Sequence, residues 1–136
     1  MTPRILEGRV FLPGHKPKVL VLDEDQLALE LYSRELGLDY QVITSESVCE
    51  TRQALKDLHL DVLVLEPQVN EDEGWTLLKD IQAIDDPPFV ILCSVEDERK
   101  AGLDQGASIY LVKPVLPHTL HLLVDQIMAK KANHSA

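Results

Sequence analysis

The sequence predicts an α/β domain built on a doubly wound parallel sheet of five strands, and three observations carry that expectation. Short, uniformly apolar runs, Lys18 to Leu22 and Val62 to Leu65 foremost, are too brief and too even for amphipathic helices and read as strands buried on both faces. Each run is followed by apolar residues at helical spacing, so strand and helix alternate along the chain. Two of the runs end on acid, Asp23-Glu24-Asp25 after the first and Glu66 after the third. The carboxyl ends of strands are where open α/β sheets bind their ligands.

The elements follow in order. Residues 1–17 fall outside the alternating pattern; Arg4 to Leu12 is expected as a short extended arm or leader, with a turn at Pro13-Gly14. The regular domain is expected over residues 18–130. Lys18 to Leu22 is its first strand, Leu27, Ala28, Leu31 and Tyr32 form the stripe of its first helix, and Gly37 closes that helix. Tyr40 to Thr44 is the second strand, and Ser47 with Glu50 has capping-box spacing ahead of the stripe Val48, Thr51, Leu55, Leu58. Val62 to Glu66 is the third. A polar loop with Pro67 and Asn70 then leads to Gly74-Trp75, where a helix carrying Leu77, Leu78, Ile81 and Ile84 opens, with Pro87-Pro88 as its stop. Phe89 to Cys93 is the fourth strand, and Glu96 to Gln105 is the weakest helix, thin in apolar residues and interrupted by Gly102. Ser108 to Val112 is the fifth strand and Lys113-Pro114 ends it. Pro117 takes the first helical position, and Leu120, Leu123, Val124, Ile127 and Met128 make the clearest stripe in the chain. Residues 131–136 are expected as a polar, frayed tail.

Composition bounds the function. At 136 residues the chain makes one domain that buries roughly two thirds of the surface of its unfolded form. No apolar run approaches the ~20 residues of a membrane span, and the N-terminus lacks the pattern of a signal peptide, so a cytoplasmic location and no membrane partner are expected. Cys49 and Cys93 have no CxxC spacing, so the cysteines signal neither a disulfide framework nor a zinc site. A formal net charge of -10 argues against nucleic acid as a partner, since such binding rests on Lys and Arg. His118 and His121 stand three apart on the last helix with no third ligand in view, and a helix-surface role is expected for both.

A flavodoxin-like (βα)5 sheet in the order 2-1-3-4-5 is the natural arrangement at this length, and it sets the first and third strands side by side. Asp23, Glu24 and Glu66 then converge at one edge. Clustered carboxylates raise one another's pKa unless a cation intervenes, and Mg²⁺, a hard ion with a preference for oxygen, is the usual remedy. Lys113 supplies a fixed positive charge nearby.

At these residues the chain from about Lys18 to Lys130 resembles a response-regulator receiver domain. Asp23-Glu24 stands where that family keeps its acidic pair, Gly74 follows Glu66 by eight residues as the family's loop glycine follows its phosphoacceptor, and Gly106 to Pro114, GASIYLVKP, resembles the closing motif. The resemblance implies Glu66 at the phosphoacceptor position, Lys113 as the phosphate-contacting lysine and Tyr110 as the aromatic switch. It implies Cys93 at the Thr/Ser switch position and Asp23, Glu24, Glu66 and the Gln68 backbone carbonyl as ligands of a weakly held Mg²⁺. It also implies a cis Lys113-Pro114 bond.

The departures are informative. Glu66 replaces the family's Asp, and its extra methylene carries the carboxylate roughly 1.3 to 1.5 Å further. Cys93 replaces Thr or Ser with a weak S–H donor, and Ser94 would substitute for it if the strand were bulged. Glu66 is therefore an inert relic, a standing substitute for the phosphorylated state, or a still-active acceptor. The leading expectation is an atypical receiver, or pseudo-receiver, in a two-component phosphorelay pathway that acts as an interaction module and not as an enzyme. The rival is a receiver still phosphorylated on Glu66 by a histidine kinase. Expected partners are a histidine kinase or another signalling protein, and a second copy met through the fourth helix, fifth strand and fifth helix.

Overall fold

The most evenly apolar stretch of the sequence forms the middle of the sheet. In a computed structural model, which describes the backbone of residues 4–6, 9–11 and 16–135 and the side chains of residues 16–131, the third predicted strand, Val62–Leu65, is 0 to 2% exposed along its whole length. Counting from the N-terminus, the strands are β1 (Arg4–Leu6), β2 (Arg9–Phe11), β3 (Lys18–Leu22), β4 (Gln41–Ser45), β5 (Val62–Leu65), β6 (Phe89–Ser94) and β7 (Ile109–Val112). The last five form one parallel sheet in the order β4-β3-β5-β6-β7, which is the predicted 2-1-3-4-5. Five helices alternate with them: α1 (Gln26–Leu36), α2 (Val48–Asp57), α3 (Val69–Ile81), α4 (Arg99–Asp104) and α5 (Pro117–Ser135).

Strand alternation divides the core between the two faces of the sheet. Val19, Val21, Val62, Val64, Ile91 and Cys93 point to the face covered by α1 and α5. Leu20, Leu22, Leu63, Leu65, Val90 and Leu92 point to the face that holds the α3 side chains Leu77, Leu78 and Ile81. Both faces being dry is why these strands read as unbroken apolar runs.

Several expectations need correction. Residues 4–6 and 9–11 are not one extended arm, because β1 and β2 pair antiparallel, Ile5 opposite Val10; Leu12 and the expected turn at Pro13-Gly14 lie outside the described residues. In α1 the buried line is Leu29, Tyr32 and Leu36, while Leu27 is 61% and Leu31 40% exposed. Asp25 caps the helix through Leu27 and Ala28 N–H, and Leu29, Tyr32 and Leu36, three and four residues apart, then share one side. The α2 capping box is half formed: Ser47 Oγ accepts from Glu50 N–H at 3.1 Å, but Glu50 reaches the Glu46 N–H and not that of Ser47. Leu58 and Ile84 fall beyond their helices and are exposed, and α4 has six residues where ten are expected. Most plainly, the expected tail is helical to Ser135. Lys131 anchors it, its ammonium 2.9 Å from Asp61 Oδ1, a long-range ion pair that local polarity does not announce.

Candidate functional site

The switch point of the sheet brings three loops together. Leu22 ends β3 and Leu65 ends β5 side by side in register, and Glu66 N–H donates to the Leu22 carbonyl at 3.2 Å, which pins the start of the β5–α3 loop. Asp23, 2% exposed, follows β3 directly, and its Oδ1 accepts from Asp25 N–H at 2.9 Å. Lys113 follows β7 directly and precedes the cis Lys113-Pro114 bond. Its ammonium lies 2.7 Å from Asp23 Oδ2 and 3.4 Å from Glu66 Oε2. The two carboxylates and the lysine are thus one cluster, as the alternation of acid-ended strands predicts.

Glu24 stands apart from it. Its Oε1 accepts from the Asn70 N–H at 3.0 Å, while Asn70 Oδ1 accepts from Val48 N–H at 2.8 Å, so Asn70 stitches the β3–α1 loop, the head of α2 and the β5–α3 turn together. Asn70, Glu71 and Asp72 all take left-handed φ, at 50°, 57° and 68°. Asn and Asp tolerate that region best, and Glu71 between them is held there at a cost. The Gln68 carbonyl, a predicted metal ligand, accepts from Asp72 N–H at 3.2 Å within this turn.

Cys93 and Tyr110, the expected switch positions, belong to the core on opposite faces of the sheet. Cys93 is buried on the α1 and α5 face, and burial pushes its thiol up to about 12, so no thiolate is available there at neutral pH. The bulge that would bring Ser94 into the Cys93 position is absent: Ser94 pairs in regular register opposite Val112, fully buried, and donates to Gln68 Oε1 at 2.8 Å while accepting from Glu96 N–H at 3.0 Å. Its hydroxyl therefore serves the β6–α4 loop. Tyr110 is 5% exposed, donates to the Glu96 carbonyl at 2.5 Å and accepts from Glu98 N–H at 3.0 Å, turned inward under α4. A Cβ on Gly102 would sit 2.6 Å from the Tyr110 ring, which explains the glycine that weakens this helix. Gln68, Ser94 and Asn70 as network members were missed in the sequence, where polar residues in loops give no sign of their partners.

Electrostatics follow from this packing. Burial, then the hydrogen bond and charge of Asp23, push the Glu66 carboxyl up to about 7, with Lys113 opposing. Burial pulls the Lys113 ammonium down, but Asp23 and then Glu66 outweigh it and leave it above its ordinary value. Because Glu66 is raised, the native state keeps a proton that the unfolded chain has already released, and stability falls as pH rises from 4.5 through about 7. Water reaches part of the side chain, so the loss is about 1 to 2 kcal/mol and not the full value of the shift. Glu66→Gln should escape it. Urea titrations at pH 5 and pH 8 are expected to show wild type losing that amount relative to the variant; equal losses in both would remove Glu66 as the cause.

This is a flavodoxin-like domain with an acidic switch point answered by a lysine. Residues 19–125 match the response regulator receiver domain family, and the chain belongs to that family. It is similar to the transcriptional regulatory protein PrrA of Mycobacterium tuberculosis, 31% identical over 121 residues that cover 86% of this chain and 52% of that protein. It also resembles a probable transcriptional regulator, ycf27, of Cyanidium caldarium, at 27% identity over 87% of this chain and 48% of the other. The chain thus spans about half the length of these curated relatives. Among solved structures, a CheY-like response regulator receiver domain protein from Methanospirillum hungatei superposes with a TM-score of 0.81 at 18% identity, covering 88% of this chain and 98% of that one. The BeF3-activated DrrB receiver domain gives 0.76 at 22% identity, over 84% and 98%. Among the described residues no helix is long and apolar enough to cross a membrane.

Proposed function

We propose that this chain is an atypical receiver of a two-component phosphorelay pathway that works as a protein-interaction module and not as an enzyme, with Glu66 standing where the family's phosphoacceptor stands. The observation that carries the reading is the Lys113 ammonium between Asp23 and Glu66: the longer carboxylate already meets the lysine that would hold a phosphoryl oxygen. Such a cluster supplies in the resting protein part of what an acyl phosphate would bring, a negative charge against Lys113. The donor pair of Asp23 and Glu66 suits Mg²⁺, which prefers carboxylate oxygen, while Glu24 would have to leave the Asn70 N–H to join it. Lys113 competes for the same oxygens, so binding is weak.

Partners, a histidine kinase or another signalling protein, meet α4, β7 and α5, where Leu103 and Leu122, with Leu116 ahead of α5, expose 43 to 71% of their surface. The net charge of -10 speaks against contact with nucleic acid by these residues. A second copy can use the same surface, and sedimentation that stays monomeric at high protein concentration counts against that.

The deciding experiment is intact-mass spectrometry after incubation with acetyl phosphate and millimolar Mg²⁺. No stable phosphoryl adduct is expected on wild type, and the same samples should melt slightly higher with Mg²⁺ than without. An adduct on wild type that is absent from Glu66→Gln would overturn the reading and make this an ordinary, if slow, receiver.

A further inference from the structure

A second charged cluster lies at the opposite, N-terminal edge of the sheet, where α5 crosses the end of α1 and the turn into β4. His121 is 7% exposed, its Nδ1 2.6 Å from Glu35 Oε2 and its Nε2 2.6 Å from Asp39 Oδ2. Asp125, one helical turn on and 5% exposed, places Oδ1 3.7 Å from Nε2 and accepts a hydrogen bond from the Tyr40 hydroxyl. The sequence reading of His121 as a surface residue is therefore wrong. Glu35 and Asp39 sit more than eighty residues earlier in the chain, beyond the reach of a spacing argument.

We propose that Asp39, His121 and Asp125 form a site for a divalent transition metal ion of the zinc class, with Glu35 as the residue that positions the imidazole. Ligand atoms of the three lie within 4.8 Å of one another. Tetrahedral zinc with bonds of about 2.0 to 2.2 Å sets its ligands about 3.3 to 3.5 Å apart. The 3.7 Å separation from Asp125 is close to this, and the 2.6 Å separation from Asp39 has to open by less than 1 Å. Asp39 is placed to give, because it lies in the α1–β4 turn and not within an element. Asp125 and His121 need no rearrangement of backbone, since residues four apart on a helix share a face.

The second argument concerns the imidazole itself. Glu35 on Nδ1 orients the ring so that Nε2 faces Asp39 and Asp125, the carboxylate–histidine–metal arrangement that orients ligating histidines. An ion bound at Nε2 takes that nitrogen's lone pair, and any proton it displaces passes to water. The donor set also separates this site from the switch point. An imidazole with two carboxylates favours zinc-class ions, whereas the all-oxygen cluster around Asp23 suits Mg²⁺. A bound ion would clamp α5 to the α1–β4 turn.

The full chain, stripped with chelator, is titrated with ZnCl2 at pH 7.5 by calorimetry and melted with and without it; CoCl2 reports ligand geometry through its visible absorption. One ion per chain, a melting temperature that rises with Zn²⁺ and not with Mg²⁺, and tetrahedral cobalt bands are expected. Asp39→Asn, conservative in shape and sited in a turn, should weaken binding at least tenfold, and Glu35→Gln about tenfold or more. Asp125→Asn adds a second ligand test in any sample that circular dichroism shows folded. His118→Gln and Glu66→Gln should bind as wild type does. Equal affinity in Asp39→Asn would place the ion elsewhere, on exposed groups such as Cys49, and no binding at all would leave an imidazolium salt bridge only; either result overturns the site.

Discussion

Glu66→Asp is expected to be labelled by acetyl phosphate and Mg²⁺ about a hundredfold faster than the wild-type chain, the penalty that a misplacement near 1 Å imposes on an in-line attack. The backbone at this position does not move to accommodate side-chain length, because Glu66 N–H is held by Leu22 and its carbonyl accepts from Val69 N–H at 3.2 Å. The carboxylate therefore takes up the extra methylene itself, and it does so by reaching Lys113. Shortening it withdraws the oxygen roughly 1.3 to 1.5 Å from Lys113 and opens room beside the Asp23–Lys113 pair, where the proposed phosphoryl group would lie. Protonation is the smaller effect. A carboxyl with pKa about 7 is half ionised at neutral pH, which costs about twofold against about a hundredfold from geometry. Cys93→Thr added to Glu66→Asp supplies a hydroxyl at the expected switch position, so the double variant should couple label to a change at Tyr110 while the single variant only gains mass. Glu66→Asp that is folded by circular dichroism yet takes up no more label than wild type would sink the geometric account.

The parts of this fold that were legible in the sequence are those whose physics is local. Lys18–Leu22 and Val62–Leu65 read correctly because a strand dry on both faces needs apolar residues at every position, and nothing downstream in the chain alters that. Asp23, Glu66 and Lys113 were found together because strand order places strand ends, and strand ends place their first loop residues. Tyr110 was found by motif, but its inward hydroxyl, bonded to Glu96 and Glu98, depends on a loop conformation that no spacing encodes.

Two of the misses share one cause, pairing over long sequence separation. Helix α5 continues past Lys130 because Lys131 finds Asp61 seventy residues away. His121 is buried because Glu35, Asp39 and Asp125 satisfy both its nitrogens, and a histidine on a polar helix flank looks identical with or without them. The α1 stripe failed differently: two interleaved sets of apolar residues share that helix, and the choice between them was made by α5, which packs on Leu29, Tyr32 and Leu36 and leaves Leu27 and Leu31 beside the Lys113–Val115 segment.

Gly74→Ala is expected to destabilise the protein by about 2 kcal/mol, a fall in melting temperature of about 6 to 8 °C. On an isolated helix the same change would stabilise by about 1 kcal/mol. Here a Cβ would meet the Pro67 Cα at 2.7 Å, the Pro67 carbonyl oxygen at 2.7 Å and the Glu66 carbonyl oxygen at 2.8 Å. All three are backbone atoms of the loop that leaves β5, so no side-chain rotation relieves the contact, and overpacking of this kind costs about 1 to 3 kcal/mol or more. The upper end applies because the Glu66 carbonyl is already committed to Val69 N–H and the turn beyond it is held left-handed at three successive residues. The displacement should reach the site as well. Pushing the Glu66–Pro67 backbone away from α3 changes the span from Glu66 to Lys113, so the pH dependence of stability assigned to Glu66 should flatten in the variant. Glu73→Ala, exposed and next in line, is the control and should lie within about 0.5 kcal/mol of wild type. Urea midpoints that place Gly74→Ala at or above wild type would show that the loop yields freely, and with it the claim that α3 presses the Glu66 backbone into position would fall.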